Sequence, residues 1–395
     1  MDRTALDTPR AVAAVILLFA YNGLVVGVYA ASIPILRDKI GLDAIRLAIL
    51  FVVTGIAAVA AMQISGRVTD KYGARRVCLT MIFPLIIAAT GYALVPTYPL
   101  LLVTGVFLGL GNGGIDVAMN ALGVQIERRR LDRGGHGIMS FFHAMWAIGS
   151  FVGSFAISVV GTGIGLSPTR TLAVCALVAA GLGFGAWGLA YVITPETAPV
   201  GHETADGTKL RIPRAAYLMG VMAIAFGLGE GTASDWSGVH VHTVAGVDSR
   251  TAAWAVTVIM GCMVVIRLTG DLLVAAIGRQ NLVRAGGVVA AAGYLITTFA
   301  TPFPVLLIGW ALVGAGMGVI APQVYASAGH LAGGRGLAVV VTFGYTTFLV
   351  GPAVIGTLVH FLGIQHTMAV PGVLLFGLVG IAGVALKDPR PRETV

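Results

Sequence analysis

Charge is what this sequence has least of. Only 11% of its 395 residues are Asp, Glu, Lys or Arg, where a soluble domain carries about a quarter. That density cannot cover a water-facing surface, which excludes a soluble all-helical protein with a large core. Cysteine is nearly absent too. Cys78, Cys175 and Cys262 all fall in apolar runs without metal-ligand spacing, so they read as small packing residues, and neither a disulfide framework nor a metal site is expected. The sequence also lacks a P-loop, a soluble domain and a nucleophile beside a partnered base. Neither an enzyme nor an ATP-driven pump is indicated, and no cofactor is expected.

What fills the chain instead is apolar: 57% hydrophobic residues, with 55 glycines falling inside the runs, as packing between membrane helices favours. Spans of about 20 residues with short connections fit roughly twelve crossings into this length. The candidate spans are 11–36, 45–65, 77–95, 98–126, 138–160, 169–193, 214–240, 250–270, 281–300, 303–328, 336–362 and 367–386. The first, interrupted by Asn22, Gly23, Gly27 and Pro34, reads as a working helix and not as a cleaved leader. The expected class is all-α integral membrane, with twelve transmembrane helices in two pseudo-symmetric six-helix bundles.

The formal charge of +8 follows the membrane and is no nucleic-acid signal. With the N-terminus cytoplasmic, the outer side keeps only Arg37, Lys39, Arg46, Arg170 and Arg250, and the remaining Lys and Arg fall inside. That is the positive-inside pattern for an even number of spans with both termini in the cytoplasm of a bacterial cell, the protein sitting in its inner membrane. The longest polar stretch, Thr194 to Pro213, reads as a cytoplasmic linker. It divides an N-terminal bundle (1–193) from a C-terminal bundle (214–395), with 194–213 between them.

A repeat supports the division. Gly109, Gly111, Gly113 and Ile115 match Gly314, Gly316, Gly318 and Ile320 at one offset, which also carries Ala20-Tyr21 to Ala225-Phe226 and Gly73 to Gly278. Internal repeats are a hallmark of secondary transporters. The copies differ in charge: Asp70, Arg75, Arg76 and Asp116 map to Ala275, Gln280, Asn281 and Ala321.

Between the second and third spans lies Gly66-Arg67-Val68-Thr69-Asp70-Lys71-Tyr72-Gly73-Ala74-Arg75-Arg76. Gly66 permits close helix approach, Gly73 a tight turn, and Asp70 can cap a neighbouring helix; Arg75 and Arg76 can hold anionic headgroups or a partner carboxylate. This string resembles the loop between helices two and three of the major facilitator superfamily, missing only the Arg usual at Ala74. The resemblance covers the whole chain. It implies that family's fold and a rocker-switch transporter, in which Gly66, Asp70, Gly73, Arg75 and Arg76 form a cytoplasmic latch and helices one, four, seven and ten line the cavity. A narrower resemblance, to the fucose-permease-like branch, rests on Gly109 to Asn120, Ser140 to Trp146 and Glu230 to Ser237. A fourth-helix acid serves proton coupling in that branch, and Asp116 matches it. The branch's helix-one acid has no counterpart in Tyr21-Asn22-Gly23.

Asp116 stands out on its own terms as well. It lies about ten residues, roughly 15 Å, from the expected cytoplasmic end of its span. An unpaired charge there costs at least about 2.5–3.5 kcal/mol, so such an acid implies a partner, a proton or a solute. Asn112, Asp116 and Asn120 recur every fourth residue and share one face. Glu230, among Gly227, Gly229 and Gly231, suggests a broken helix lining a cavity. His143 lies at a depth comparable with Asp116, and a His–carboxylate pair would make a proton relay. Asp116, His143 and Glu230 are thus the proton-coupling candidates. Tyr21, Asn22, Asn112, Asn120, Asp235, Trp236, Gln323 and Tyr325 are candidate solute contacts. Arg267 and Asp271, four apart, read as an inner-face ion pair.

The expected function is a monomeric secondary transporter of a small organic solute, proton-coupled, by symport. The alternative is efflux by antiport. The antiporter branch usually carries a Gly-Pro signature in helix five; here that span has Gly149 and Gly153 without proline, and Gly351-Pro352 lies in the eleventh.

Overall fold

A computed structural model describes residues 8–134, 138–193 and 213–386. All regular structure among them is helical. Twelve helices are long and apolar enough to cross a bilayer: α1 (Pro9–Ile40), α2 (Ala44–Tyr72), α3 (Ala74–Leu94), α4 (Tyr98–Asp132), α5 (Phe141–Gly163), α6 (Pro168–Val192), α7 (Arg214–Ala245), α8 (Ser249–Gly270), α9 (Arg279–Phe299), α10 (Phe303–Ala328), α11 (Val339–Leu362) and α12 (Ile364–Ala385). The expected linker, apart from Pro213, lies outside the described residues.

Two features of the secondary structure differ from expectation. The charged string after the second span is not a free loop. Helix α2 continues through Gly66 and Asp70 to Tyr72, and a single residue, Gly73, turns the chain into α3. Gly73 has φ 88° and ψ 148°, a backbone that excludes side chains with a Cβ. Gly278 before α9 repeats it with φ 78° and ψ 154°. Second, α10 and α11 belong to one continuous helical run, Phe303–Leu362.

By compactness the chain falls into two units, residues 1–207 with 235–260, and residues 208–234 with 261–395. In the first, α1 crosses α5 backbone to backbone. A Cβ on Gly23 would overlap the carbonyl oxygen of Trp146, and one on Gly27 that of Ser150; Gly149 and Gly153 return the contact against Ala20 and Leu24. Such small-residue seams let two helices approach where lipid supplies no hydrophobic drive.

The glycines of the repeat do the same work in each unit. Gly113 of α4 lies against Ala58 of α2, and Gly111 against Leu85 of α3. In the second unit Gly318 of α10 meets Met263 and Ile266 of α8, and Gly316 meets Ala290 of α9. Ala58 and Met263, like Leu85 and Ala290, are separated by the same offset as the glycines. The repeat read from sequence is therefore a repeat of helix contacts.

Candidate functional site

In the first unit a chain of polar side chains joins three helices. The indole Nε1 of Trp146 (α5) donates to Asn22 Oδ1 at 2.6 Å, and Asn22 Nδ2 (α1) donates to Asn112 Oδ1 (α4) at 3.0 Å. The close approach of α1 and α5 at Gly23 places Asn22 within reach of Trp146. Asn22 is 1% exposed, whereas Asn112, Asp116 and Asn120 are half-buried along one side of α4. One and two turns below Asn112, Asn120 Nδ2 donates to Asp116 O at 2.8 Å and to Asp116 Oδ1 at 3.2 Å.

Among the described residues, then, the Asp116 carboxylate accepts from Asn120 alone and has no ion pair. His143 is exposed, with its ring edge-on to Phe19 at 5.3 Å, and no hydrogen bond or ion pair joins it to Asp116. Asp116 thus lies near the middle of a long helix, flanked by carboxamides and, among the described residues, without a cation, a costly position for a charge.

Other candidates sit elsewhere in this unit. Tyr21 is buried and turned from the Asn22 network: its hydroxyl packs against Gly183 of α6 and, among the described residues, finds no hydrogen-bond partner. Trp236 is 1% exposed and edge-on to Phe51 at 5.6 Å, a packing position, while Asp235 beside it is half-buried. Arg75 stacks over the Tyr191 ring at 5.3 Å and donates to the Tyr191 carbonyl at 2.8 Å, tying α3 to the end of α6. Arg76 is exposed, and Asp70 and Gly66 are half-buried.

The second unit holds the other acid. Helix α7 is unbroken through Glu230, against the expected interruption. Two of its glycines serve packing instead, Gly227 facing Thr347 and Gly229 facing Leu375 and Met317, while Gly231 faces open space. Arg267 of α8 is the partner of Glu230, with Nη2 3.4 Å from Oε1; the expected partner, Asp271, has a side chain outside the described residues. The pair is 15% and 22% exposed respectively, and Tyr294 Oη donates to the neighbouring Gly229 carbonyl at 2.6 Å. Gln323 accepts from Arg279 Nε at 3.0 Å, and Tyr325 lies edge-on to Phe226 at 5.7 Å.

Sequence reasoning missed two groups that order the first unit. Glu127, near the C-terminal end of α4, accepts from the backbone N–H of Ile138 and Met139 at 2.6 and 2.7 Å and so caps the helical run Met139–Gly163 that contains α5. At the start of α8, Asp248 caps that helix through Thr251 and Arg250, Arg250 reaches the Leu166 carbonyl at 2.6 Å, and His242 meets Asp38 at 3.2 Å. An acid just before a helix was the available signal for Asp248; Glu127 acts across a connection and left none.

The Major Facilitator Superfamily profile matches residues 15–265 and 218–395, and the chain belongs to that superfamily. It is similar to the uncharacterised transporter y4wD of Sinorhizobium fredii, 30% identical over 374 residues, which is 94% of this chain and 96% of that protein. It is also similar to the membrane protein MosC of Rhizobium meliloti, 27% identical over 366 residues, 90% of this chain and 86% of that one. Of solved structures, a point mutant of the nucleoside transporter NupG superposes with a TM-score of 0.74 at 14% identity, covering 95% of this chain and 99% of that one. FucP in its outward conformation gives 0.66 at 17% identity, covering 97% and 100%. The structural likeness is one of fold, and the function common to the superfamily is membrane transport.

Proposed function

We propose that the protein is a proton-coupled symporter that moves a small organic solute across the bacterial cytoplasmic membrane by alternating access. Its two halves are 1–193 and 214–395, and α1, α4, α7 and α10 carry the candidate solute contacts. Both termini lie in the cytoplasm, as the distribution of Lys and Arg favours. Asp116 carries the proton. The observation behind this is its setting: a carboxylate midway along α4, joined among the described residues only to Asn120 and continuous with a face that offers further amides.

Asn112, Asn120 and the buried Asn22–Trp146 pair form the first-unit wall of the solute site. Their carboxamides donate and accept, which suits a solute with hydroxyl, carbonyl or amine groups. The string from Gly66 to Arg76 is the latch: Gly73 sets the turn and Arg75, braced on Tyr191, holds the ends of α3 and α6 together.

The test is solute-dependent proton entry into proteoliposomes, read with an interior pH dye against sugars, organic acids and cationic drugs. One solute class should carry protons inward with it. Solute uptake that is indifferent to the pH gradient would remove the coupling.

A further inference from the structure

Arg267 is an unfinished ion-pair partner. A guanidinium has five N–H donors in a fixed fork that matches the two oxygens of a carboxylate or phosphate. Here Arg267 uses one donor on Glu230, at 3.4 Å, where charge-assisted bonds run about 2.7–2.9 Å. Its Nε is buried and, among the described residues, has no hydrogen-bond partner. The side chain is nevertheless only 15% exposed, so water does little to satisfy what Glu230 leaves open. Among the described residues this arginine meets Glu230 through a single nitrogen, short of the two-pronged pair that its fork can make.

We infer that Arg267 is an oxyanion-binding site, with Glu230 as the internal placeholder that a solute's carboxylate or phosphate group displaces. The charged and titratable groups facing Glu230 fit this exchange. Arg267 approaches from α8, and Tyr294 of α9 lies within electrostatic reach, its hydroxyl bonded to Gly229. The α10 and α12 neighbours at Gly229, Met317 and Leu375, are apolar. When an anion takes the fork, Glu230 gives up its place on Arg267. The inference deepens the transport reading and rests on it for the word solute; the site itself stands on the geometry around Arg267.

The experiment supplies the missing carboxylate. In Glu230→Gln the arginine has no internal anion, and about 50 mM sodium formate should replace it. We expect the unfolding midpoint of the purified full-length variant to rise by about 3 °C in formate over equimolar sodium chloride, with a much smaller difference in wild type. The Arg267→Gln/Glu230→Gln double variant should not respond. Should Glu230→Gln not purify as a single species, Glu230→Asp, with its carboxylate drawn back from Arg267, serves the same comparison. A larger rise with inorganic phosphate than with formate would assign the site to phosphate esters; the reverse order would assign it to carboxylates. Equal midpoints in formate and chloride, or an unchanged response in the double variant, would overturn the site. Parallel proteoliposome uptake keeps the two readings apart: a formate response without proton-driven uptake of any solute leaves the anion site and removes the symporter.

Discussion

Replacing Asn22 by Ala cuts the polar chain at its centre. The substitution removes one bond of 2.6 Å from Trp146 and one of 3.0 Å to Asn112. In helical membrane proteins such interhelical bonds average about 0.6 kcal/mol and reach about 1.7. Asn22 is 1% exposed, which argues for the upper part of that range. The half-buried Trp146 and Asn112 can recover some solvation, which argues for the lower. The expected loss is about 1–3 kcal/mol in total, an apparent midpoint lower by roughly 2–6 °C. The decisive form is a cycle with Trp146→Phe, which deletes only the indole donor. If the bond exists, the double variant is less destabilised than the sum of the singles, by about 1 kcal/mol. Thermal unfolding followed by scattering or far-UV dichroism measures all four proteins. Additivity within about 0.3 kcal/mol would refute the network.

Three other outcomes follow from the same structure. Gly27→Leu puts a side chain into the backbone of Ser150, where nothing flexible can yield; fluorescence-detected gel filtration should find little monodisperse protein, while Gly181→Leu, with open space at its Cβ, should behave as wild type. Glu127→Ala strips the cap from α5 and should cost about 2 kcal/mol, with Glu127→Gln recovering part of it, read as unfolding midpoints. Asp248 adds a pH signature. Burial pushes its carboxyl up, but hydrogen bonds from Thr251 and Arg250 outweigh that and hold it at about 2 against an ordinary 3.8. Its contribution is therefore full above pH 3.8 and fades as pH falls toward 2. Asp248→Ala should lower the midpoint by about 1 kcal/mol equivalent at pH 7, and the gap from wild type should narrow between pH 4 and 3; a gap that stays constant would contradict this.

How much was legible in the sequence depended on which physical signal carried it. The spans were legible because a bilayer demands long apolar runs, and the repeat because glycine marks places where backbones touch. Gly111 and Gly316 proved to meet Leu85 and Ala290, partners at the offset the glycines themselves share. Helix ends were less legible, since α2 and α4 continue as polar helix to Tyr72 and Asp132, past the point where hydropathy stops reporting. Rotation was hardest. A helix apolar on all sides carries no stripe to say which way a residue faces, so nothing distinguished Tyr21, turned to Gly183, from its neighbour Asn22, turned to Trp146 and Asn112. Sequence spacing pointed Arg267 toward the acid four residues on and carried no sign of Glu230, which meets it from another helix.

Proton coupling in this protein turns on Asp116. Asp116→Asn keeps the size and the hydrogen bonding of the α4 face but cannot load a proton. In proteoliposomes it should retain solute exchange between equal pools while losing uptake driven by a pH gradient. An Asp116→Asn protein that accumulates solute against its gradient as wild type does, with the same proton entry, would contradict the account.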